Sequence, residues 1–143
     1  MDVKVFSIDE LCYELEKGNI GPNYSIISFS DSPNEDINFN SFNQNIDFIC
    51  IHFPDLDYCN RSEEELDKLL FEADELVSFI KSRAEKGRDF ICQCYEGHSR
   101  SSATAAAILE HYEKRGDVIF NNPRYQPNSY LYKKLIEELL LRT

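Results

Sequence analysis

The amino-acid sequence predicts an α/β fold with a mostly parallel central sheet flanked by helices. Short apolar segments with strand character alternate along the chain with segments whose apolar residues recur at helical spacing. No repeat or low-complexity tract interrupts this alternation. Such an order is typical of parallel strands joined by helical crossovers. The length of 143 residues is that of one domain, which we expect to span residues 1–143.

The first half of the chain is predicted to contain one helix and three strands. The segment from Ser7 to Glu10 has the form of a capping box, and the helix that it opens should end near Gly18. An Asn-, Asp- and Ser-rich stretch at 31–45 predicts an irregular surface connection. The three predicted strands are residues 3–8, 24–29 and 47–53.

The second half is predicted to contain three helices and one strand. A second capping box at residues 62–65 opens a helix that should run to about Ala84. A short apolar strand follows at 89–92, and an Ala-rich helix at 101–114 has Gly116 as its stop signal. The last helix should begin near residues 127–129, with Asn128 as a cap.

The charge balance excludes some partners. The formal net charge is −11, so nucleic acid and anionic membrane surfaces would be repelled. No apolar stretch is long enough to cross a bilayer, which predicts that the protein has no membrane partner. The first residues lack the basic and then apolar segments of a secretory signal. We therefore expect a cytoplasmic protein.

The cysteines suggest reactivity rather than cross-linking. Their odd number and irregular spacing disfavour a disulfide framework, and no second Cys or His pair stands at zinc-site spacing. We therefore predict no structural metal, and catalysis by a cysteine would need no metal or organic cofactor. At least one cysteine is then free for chemistry. The five cysteines are Cys12, Cys50, Cys59, Cys92 and Cys94.

One segment carries a specific motif, between the predicted strand ending at residue 92 and the helix from residue 101. It places a cysteine and an arginine six residues apart, with a glycine midway and a serine directly after the arginine. The combination is expected by chance in about one chain in a thousand. The loop residues are Cys94, Tyr95, Glu96, Gly97, His98, Ser99, Arg100 and Ser101.

The chemistry of this loop suits a phosphate dianion. A tight loop at a helix start turns backbone N–H groups toward an anion, and Gly97 permits the necessary backbone geometry. Arg100 can bind two phosphate oxygens with its planar guanidinium. The same amides favour a Cys94 thiolate, a nucleophile that can form a covalent phosphocysteine. Ser101 is placed to donate a hydrogen bond to the departing thiolate.

The loop resembles the signature of the cysteine-dependent protein tyrosine phosphatases, the dual-specificity branch in particular. That signature is His-Cys-x2-Gly-x2-Arg-Ser/Thr, and Gln93 stands here in place of its histidine. The segment from Phe53 to Asp57 looks like the acid loop of the compact bacterial members. The segment from Gln126 to Tyr132 looks like the Pro-Asn element opening their last helix. The resemblance implies the sheet of the phosphotyrosine protein phosphatase II type.

The resemblance also implies a general acid, because an alcohol or phenol leaves more easily when it is protonated. Asp55 aligns with the family's aspartate, and Asp57 is the second candidate; a Glu within 63–65, or no acid at all, are further alternatives. The implied function is protein tyrosine or dual-specificity phosphatase activity on a phosphorylated protein or a small phosphomonoester. The alternative is a catalytically weak or inactive phosphate-binding pseudophosphatase, which Gln93 favours because its amide carries no charge. A structural domain with an ordinary buried Cys94 is the third hypothesis.

Several other residues have weaker predicted roles. His98 should line the rim of the loop, His52 should lie on a sheet face or in the core, and His111 should lie at the surface. Either of two cysteines, Cys59 or Cys92, would be able to trap an oxidised Cys94 as a disulfide.

Overall fold

A four-stranded sheet forms the centre of the protein. A computed structural model describes residues 1–55 and 61–142, so the predicted sites Asp57 and Cys59 lie outside the described residues. The sheet order is β1-β4-β2-β3, and all three neighbouring pairs run parallel. The predicted α/β fold is therefore confirmed, with a fully parallel sheet in the described residues. The strands are Val3–Phe6 (β1), Tyr24–Ser30 (β2), Asp47–His52 (β3) and Asp89–Gln93 (β4).

The register places the end of β4 in the middle of one sheet edge. Cys92 is paired with Val5 of β1 on one side and with Ile27 of β2 on the other. The carboxyl ends of parallel strands meet at one edge, where α/β folds bind their ligands. The residues after Gln93 therefore leave the sheet with strand ends on both sides.

Helices cover both faces of the sheet. One face packs against the first helix, with Leu11, Ile26, Phe39 and Ile91 in a small buried cluster. The other face belongs to the larger core, which includes residues of the later helices. The helices are Ile8–Glu16 (α1), Glu63–Leu69 (α2), Ala73–Glu85 (α3), Arg100–Glu113 (α4), Asp117–Phe120 (α5) and Ser129–Leu141 (α6), with 3-10 turns at Pro33–Glu35 and Phe39–Ser41.

Helix α4 lies in the interior of the molecule. Every residue from Arg100 to Leu109 is buried, and the helix packs against β1, β4, α5 and α6. Four alanines in this stretch have small side chains, so the neighbouring strands and helices can approach α4 closely. An Ala-rich helix therefore suits this central position. The side chains at its start are thereby held in a well-packed setting.

The first strand is shorter than predicted because its last two residues serve the following helix. Ser7 Oγ accepts a hydrogen bond from the Glu10 backbone N–H at 3.1 Å, and Ser7 N–H donates to Glu10 Oε1 at 2.9 Å. This confirms the predicted capping box. Strand β1 therefore ends at Phe6 rather than at Ile8.

The single helix predicted from residue 62 to about Ala84 is in fact two helices. The chain leaves the helical path at Leu70, which is buried, and resumes it at Ala73. In between, the Glu72 carboxylate accepts the backbone N–H of His52 at 2.8 Å. This contact with the edge strand β3 joins distant parts of the chain, so helical periodicity could not predict it. The short helix α5 was also not predicted.

Within residues 1–55 and 61–142, the helices are all too short or too polar to span a lipid bilayer.

Candidate active site

Residues 94–99 form a loop between the end of β4 and the start of α4. Tyr95 and Glu96 are exposed, whereas Gly97 and Ser99 are buried and His98 is intermediate. The loop thus presents a solvent-facing side at its first turn and a packed side next to the helix. Arg100 is the first helical residue, as the strand–loop–helix prediction requires.

Cys94 occupies a buried position at the base of the loop, with 2% of its surface exposed. Its Sγ lies 3.0 Å from Ser101 Oγ. Burial raises the pKa of the thiol. Hydrogen bonds from the Ser101 hydroxyl and from the backbone N–H groups of Ser101 and His98, together with the charge of Arg100, outweigh burial and lower the pKa below its ordinary value. These contacts favour the thiolate.

Gly97 is required by both conformation and space. Its φ is +67°, in the left-handed region that glycine tolerates best. A Cβ at this position would lie 2.5 Å from the backbone nitrogen of Ser7 and 2.8 Å from the carbonyl carbon of Phe6. The loop therefore sits directly on the junction between β1 and α1. A hydrogen bond from the Ile8 N–H to the Tyr95 carbonyl, 3.1 Å long, joins them.

The segment that precedes α6 supports the other side of the loop. The Gln126 N–H donates to the His98 carbonyl at 3.0 Å, and the Asn128 N–H donates to the Ser99 carbonyl at 3.1 Å. Asn128 Oδ1 also accepts the Leu131 N–H at 2.9 Å, which confirms the predicted cap. The loop carbonyls of Tyr95, His98 and Ser99 thus bond to this segment and to α1. The backbone N–H groups of His98 and Ser101 bond to Cys94.

Arg100 is 2% exposed and is held from two sides. Its Nη1 donates to the carbonyl of Phe53 at 2.7 Å and to Asp31 Oδ1 at 2.8 Å. Its Nε is buried and has no hydrogen-bond partner in the part of the chain that the structure describes. A buried donor without a partner is costly, and at a phosphate loop it is the group that an anion would satisfy.

Two residues beside the site were not predicted from the sequence. Asp31 directly follows β2 and pairs with Arg100, and Ser28 donates its hydroxyl to Gln93 Oε1 at 2.5 Å. Gln93 and Ser28 are both buried. Only their position in the sequence could have indicated a role at the site. Both residues lie at or just after the carboxyl end of a predicted parallel strand, where ligand sites occur. A hydrogen bond from β2 thus holds the side chain of Gln93, the residue directly before Cys94.

The candidate general acids all come after β3 in the sequence. Asp55 is exposed and follows Phe53, whose carbonyl holds Arg100. Asp57 lies outside the described residues. The glutamates at 63–65 form the first turn of α2 and are exposed; the Glu65 carboxylate accepts a hydrogen bond from Ser62. The choice among these acids stays a prediction.

The remaining histidines and cysteines lie outside the loop. His52 is bridged between Asp36 and Glu72, with ring-to-carboxylate distances of 3.0 Å to each. His111 lies in the last turn of α4. Burial, with the neighbouring Cys94, raises the pKa of Cys92. The suggestion that Cys59 or Cys92 traps an oxidised Cys94 stays a prediction.

Comparison with solved structures shows the fold. Human DUSP28 matches 99% of this chain over 95% of its own length, with 16% identity and a TM-score of 0.61. DUSP15 matches 94% over 81% of its length, with 20% identity and a TM-score of 0.60. Tk-PTP in its active form matches 99% over 91% of its length, with 14% identity and a TM-score of 0.57. No family model matches the chain, and no curated protein matches it significantly.

These matches extend over nearly the whole chain, well beyond the loop that the sequence singled out. The chain therefore has the fold of the cysteine-dependent protein tyrosine phosphatases, as the resemblance of the loop implied. Identities this low show the fold alone, and the function has to be argued from the site.

Proposed function

We propose that the protein hydrolyses phosphomonoesters through a phosphocysteine intermediate, with phosphotyrosine as the preferred substrate. The observation that carries this proposal is the pairing of a stabilised thiolate with an unsatisfied donor in one loop. Cys94 Sγ has a lowered pKa, and Arg100 Nε is buried without a partner among the described residues. A phosphate dianion would satisfy Nε and place its phosphorus above the sulfur.

In the first step, the Cys94 thiolate attacks phosphorus. An S–P bond forms and the P–O bond to the leaving group breaks. Loop N–H groups and Arg100 bind the non-bridging oxygens, on which negative charge is held in the transition state. Asp55, at the end of β3, delivers its proton to the leaving oxygen, and Asp57 is the alternative donor.

In the second step, water attacks the phosphocysteine. The Asp55 carboxylate takes a proton from the water, the S–P bond breaks, and inorganic phosphate leaves. The sulfur departs as a thiolate, and Ser101 Oγ, 3.0 Å away, donates a hydrogen bond to it. The proton that Asp55 takes from water replaces the one that it gave to the leaving group, so the enzyme ends the second step in its starting protonation state. Protein groups and water suffice for both steps.

The loop supports phosphotyrosine over highly phosphorylated ligands. No Lys or further Arg stands between Cys94 and Arg100, and Glu96 adds an exposed carboxylate. Phosphoinositides with several phosphates would be repelled there. We also propose a reducing, cytoplasmic location, which the unpaired thiols of Cys12, Cys50, Cys92 and Cys94 support.

A phosphate-binding pseudophosphatase is the second candidate, and Gln93 is the observation that favours it. Its amide is bonded to Ser28 and cannot contribute positive charge beside the thiolate. This candidate predicts that phosphate binds the loop while no turnover occurs at any pH between about 5 and 8.

The deciding experiment is hydrolysis of a phosphotyrosyl peptide from pH 5 to 8 by the wild type and by Cys94→Ser. We expect turnover in the wild type and none in the variant, with inorganic phosphate still binding to both. Undiminished turnover in Cys94→Ser would overturn the mechanism. Phosphate binding without turnover in the wild type would establish the pseudophosphatase instead.

The general acid is then identified by comparing Asp55→Asn with Asp57→Asn. We expect Asp55→Asn to lower kcat by about 100-fold on an alkyl-like leaving group and less on an activated aryl phosphate. Asp57→Asn is the matched control, because it removes the same charge two residues away. A larger loss in Asp57→Asn would reassign the role.

A further inference from the structure

A cavity of about 330 Å³ adjoins the phosphate loop on the side of β2. Tyr95 and Arg100 of the loop contribute to its lining, and so do Asp31 and Glu35 from the segment after β2. Because its wall includes Arg100, the group that we expect to bind phosphate, a ligand in the cavity would be in reach of a phosphoryl group held by the loop. The cavity is therefore part of the surface that a substrate meets.

The lining combines apolar walls with carboxylates. Ile8 and Ile37 contribute apolar surface, and Tyr95, 67% exposed, presents an aromatic ring. Asp31 and Glu35 are both exposed. An apolar stem that ends in a cation matches this lining, since Lys and Arg bury their stems and keep their charge near carboxylates or an aromatic face.

The charges around the site favour such a cation. Arg100 is the cationic residue of the lining, and it is already paired with Asp31 at 2.8 Å. Its Nε is a buried donor without a partner among the described residues, so it suits an anion rather than another cation. When a phosphate dianion joins the Cys94 thiolate, the carboxylate of Glu35, which accepts the Asp31 N–H at 3.3 Å, and that of the exposed Glu96 add to the negative charge near the loop. A positive charge carried by the substrate would offset it.

We propose that this cavity binds a Lys or Arg side chain next to the phosphorylated residue, so that the preferred substrates are phosphotyrosyl peptides with basic flanks. The proposal rests on the proposed function for the position of the phosphoryl group. It assigns the role of specificity residue to Glu35, which binds the cation of the substrate, while Tyr95 packs along its stem.

Binding to Cys94→Ser tests this without any need for turnover. Two fluorescent phosphotyrosyl peptides of equal length would be compared by anisotropy at low salt, one with Arg on both sides of the phosphotyrosine and one with Ala at those positions. We expect the basic peptide to bind about two- to fivefold more tightly, as for exposed ion pairs. The difference should shrink at about 0.5 M salt, where exposed charges are screened.

Variants at Glu35 locate the effect. Glu35→Gln in the Cys94→Ser background should reduce the preference for the basic peptide, and Glu35→Lys should reverse it. Glu75→Gln is the matched control, because it removes one exposed carboxylate on α3 that does not line the cavity. We expect this control to retain the preference. Equal binding of both peptides, or a preference that survives Glu35→Lys, would overturn the proposal.

Hydrolysis of a small aryl phosphate whose aryl group carries no charge separates this proposal from the proposed function. Turnover of the aryl phosphate by the wild type, with no discrimination between peptides, would reject the basic-flank preference alone. No turnover of the aryl phosphate, with a clear Glu35-dependent preference in binding, would reject hydrolysis and leave the recognition of basic phosphopeptides in place.

Discussion

The Sγ atom of Cys94 lies 3.0 Å from the Oγ atom of Ser101, and both residues are buried. The two residues stand on either side of the phosphate loop, at the end of β4 and in the first turn of α4. Ser101 is thus able to donate one hydrogen bond from its side chain and another from its backbone to the thiolate. Because both donors belong to Ser101, the charge state of Cys94 depends on the first turn of α4.

Ser101→Ala should make Cys94 less reactive near neutral pH. The variant loses the side-chain hydrogen bond that lowers the pKa of Cys94, while burial continues to raise it. We expect the pH midpoint of alkylation by iodoacetamide to rise and the rate at pH 7 to fall severalfold. Mass spectrometry would assign the label, with Cys94→Ser as the control. An unchanged midpoint would show that the hydroxyl does not stabilise the thiolate.

Gly97→Ala should lower activity strongly, because the added Cβ would meet the backbone of Phe6 and Ser7. Displacement of the loop by about 1 Å is expected to lower kcat/KM by about 100-fold. Gly18→Ala is the matched control: Gly18 also has a φ of +67°, but a Cβ added there would have nothing within 4 Å. The control should lose about 1 kcal/mol of stability and keep its activity.

Equal loss of activity in Gly97→Ala and Gly18→Ala would contradict this interpretation. Backbone conformation, rather than the close approach of the loop to β1, would then account for the requirement for glycine.

The hydrogen bond between the side chains of Ser28 and Gln93 should stabilise the protein, so the effects of replacing the two residues should not be additive. Ser28→Ala leaves the buried Gln93 carbonyl oxygen without this donor, at a cost of about 1–3 kcal/mol in the free energy of unfolding. Gln93→Ala should have a similar effect. Urea unfolding of both single variants and of the double variant should give a coupling energy of about 1 kcal/mol. Additive losses would show that the two side chains act independently.

Stability should fall as the pH rises through the pKa of His52. Partial burial lowers this pKa, but the hydrogen bonds and charges of Asp36 and Glu72 outweigh it, so the pKa is raised above its ordinary value. A raised pKa in the folded state contributes stability that is fully present below the unfolded pKa of about 6.5 and is lost as pH rises through the folded value.

Urea unfolding at about pH 5.5 and pH 8 would measure this effect of His52. The His52→Gln variant should show a smaller difference between the two pH values than the wild type. An identical pH dependence in both proteins would exclude His52 as its source.

Several features of the fold could be predicted from sequence because they depend on neighbours along the chain. The capping box of Ser7 and Glu10, the helix cap of Asn128 and the strand–loop–helix order around Cys94 each involve a few consecutive residues. The parallel sheet could also be predicted from the sequence, since the alternation of strands and helices permits few other arrangements. The break between α2 and α3 at Leu70 could not be predicted from the sequence. At this break the Glu72 carboxylate accepts a hydrogen bond from His52 of β3, which lies 20 residues earlier in the chain.

The candidate phosphate loop could be read from the sequence alone: which cysteine is the candidate nucleophile, which arginine follows it, and where glycine stands between them. The surroundings of these residues depend on the tertiary structure. Asp31 and Arg100 are separated by 69 positions, and Ser28 and Gln93 by 65. Such contacts arise from strand order and register, because β2 pairs directly with β4 and so brings its carboxyl end beside the loop. Local residue patterns do not encode the position of β2 beside β4. That position sets the charges that surround the site.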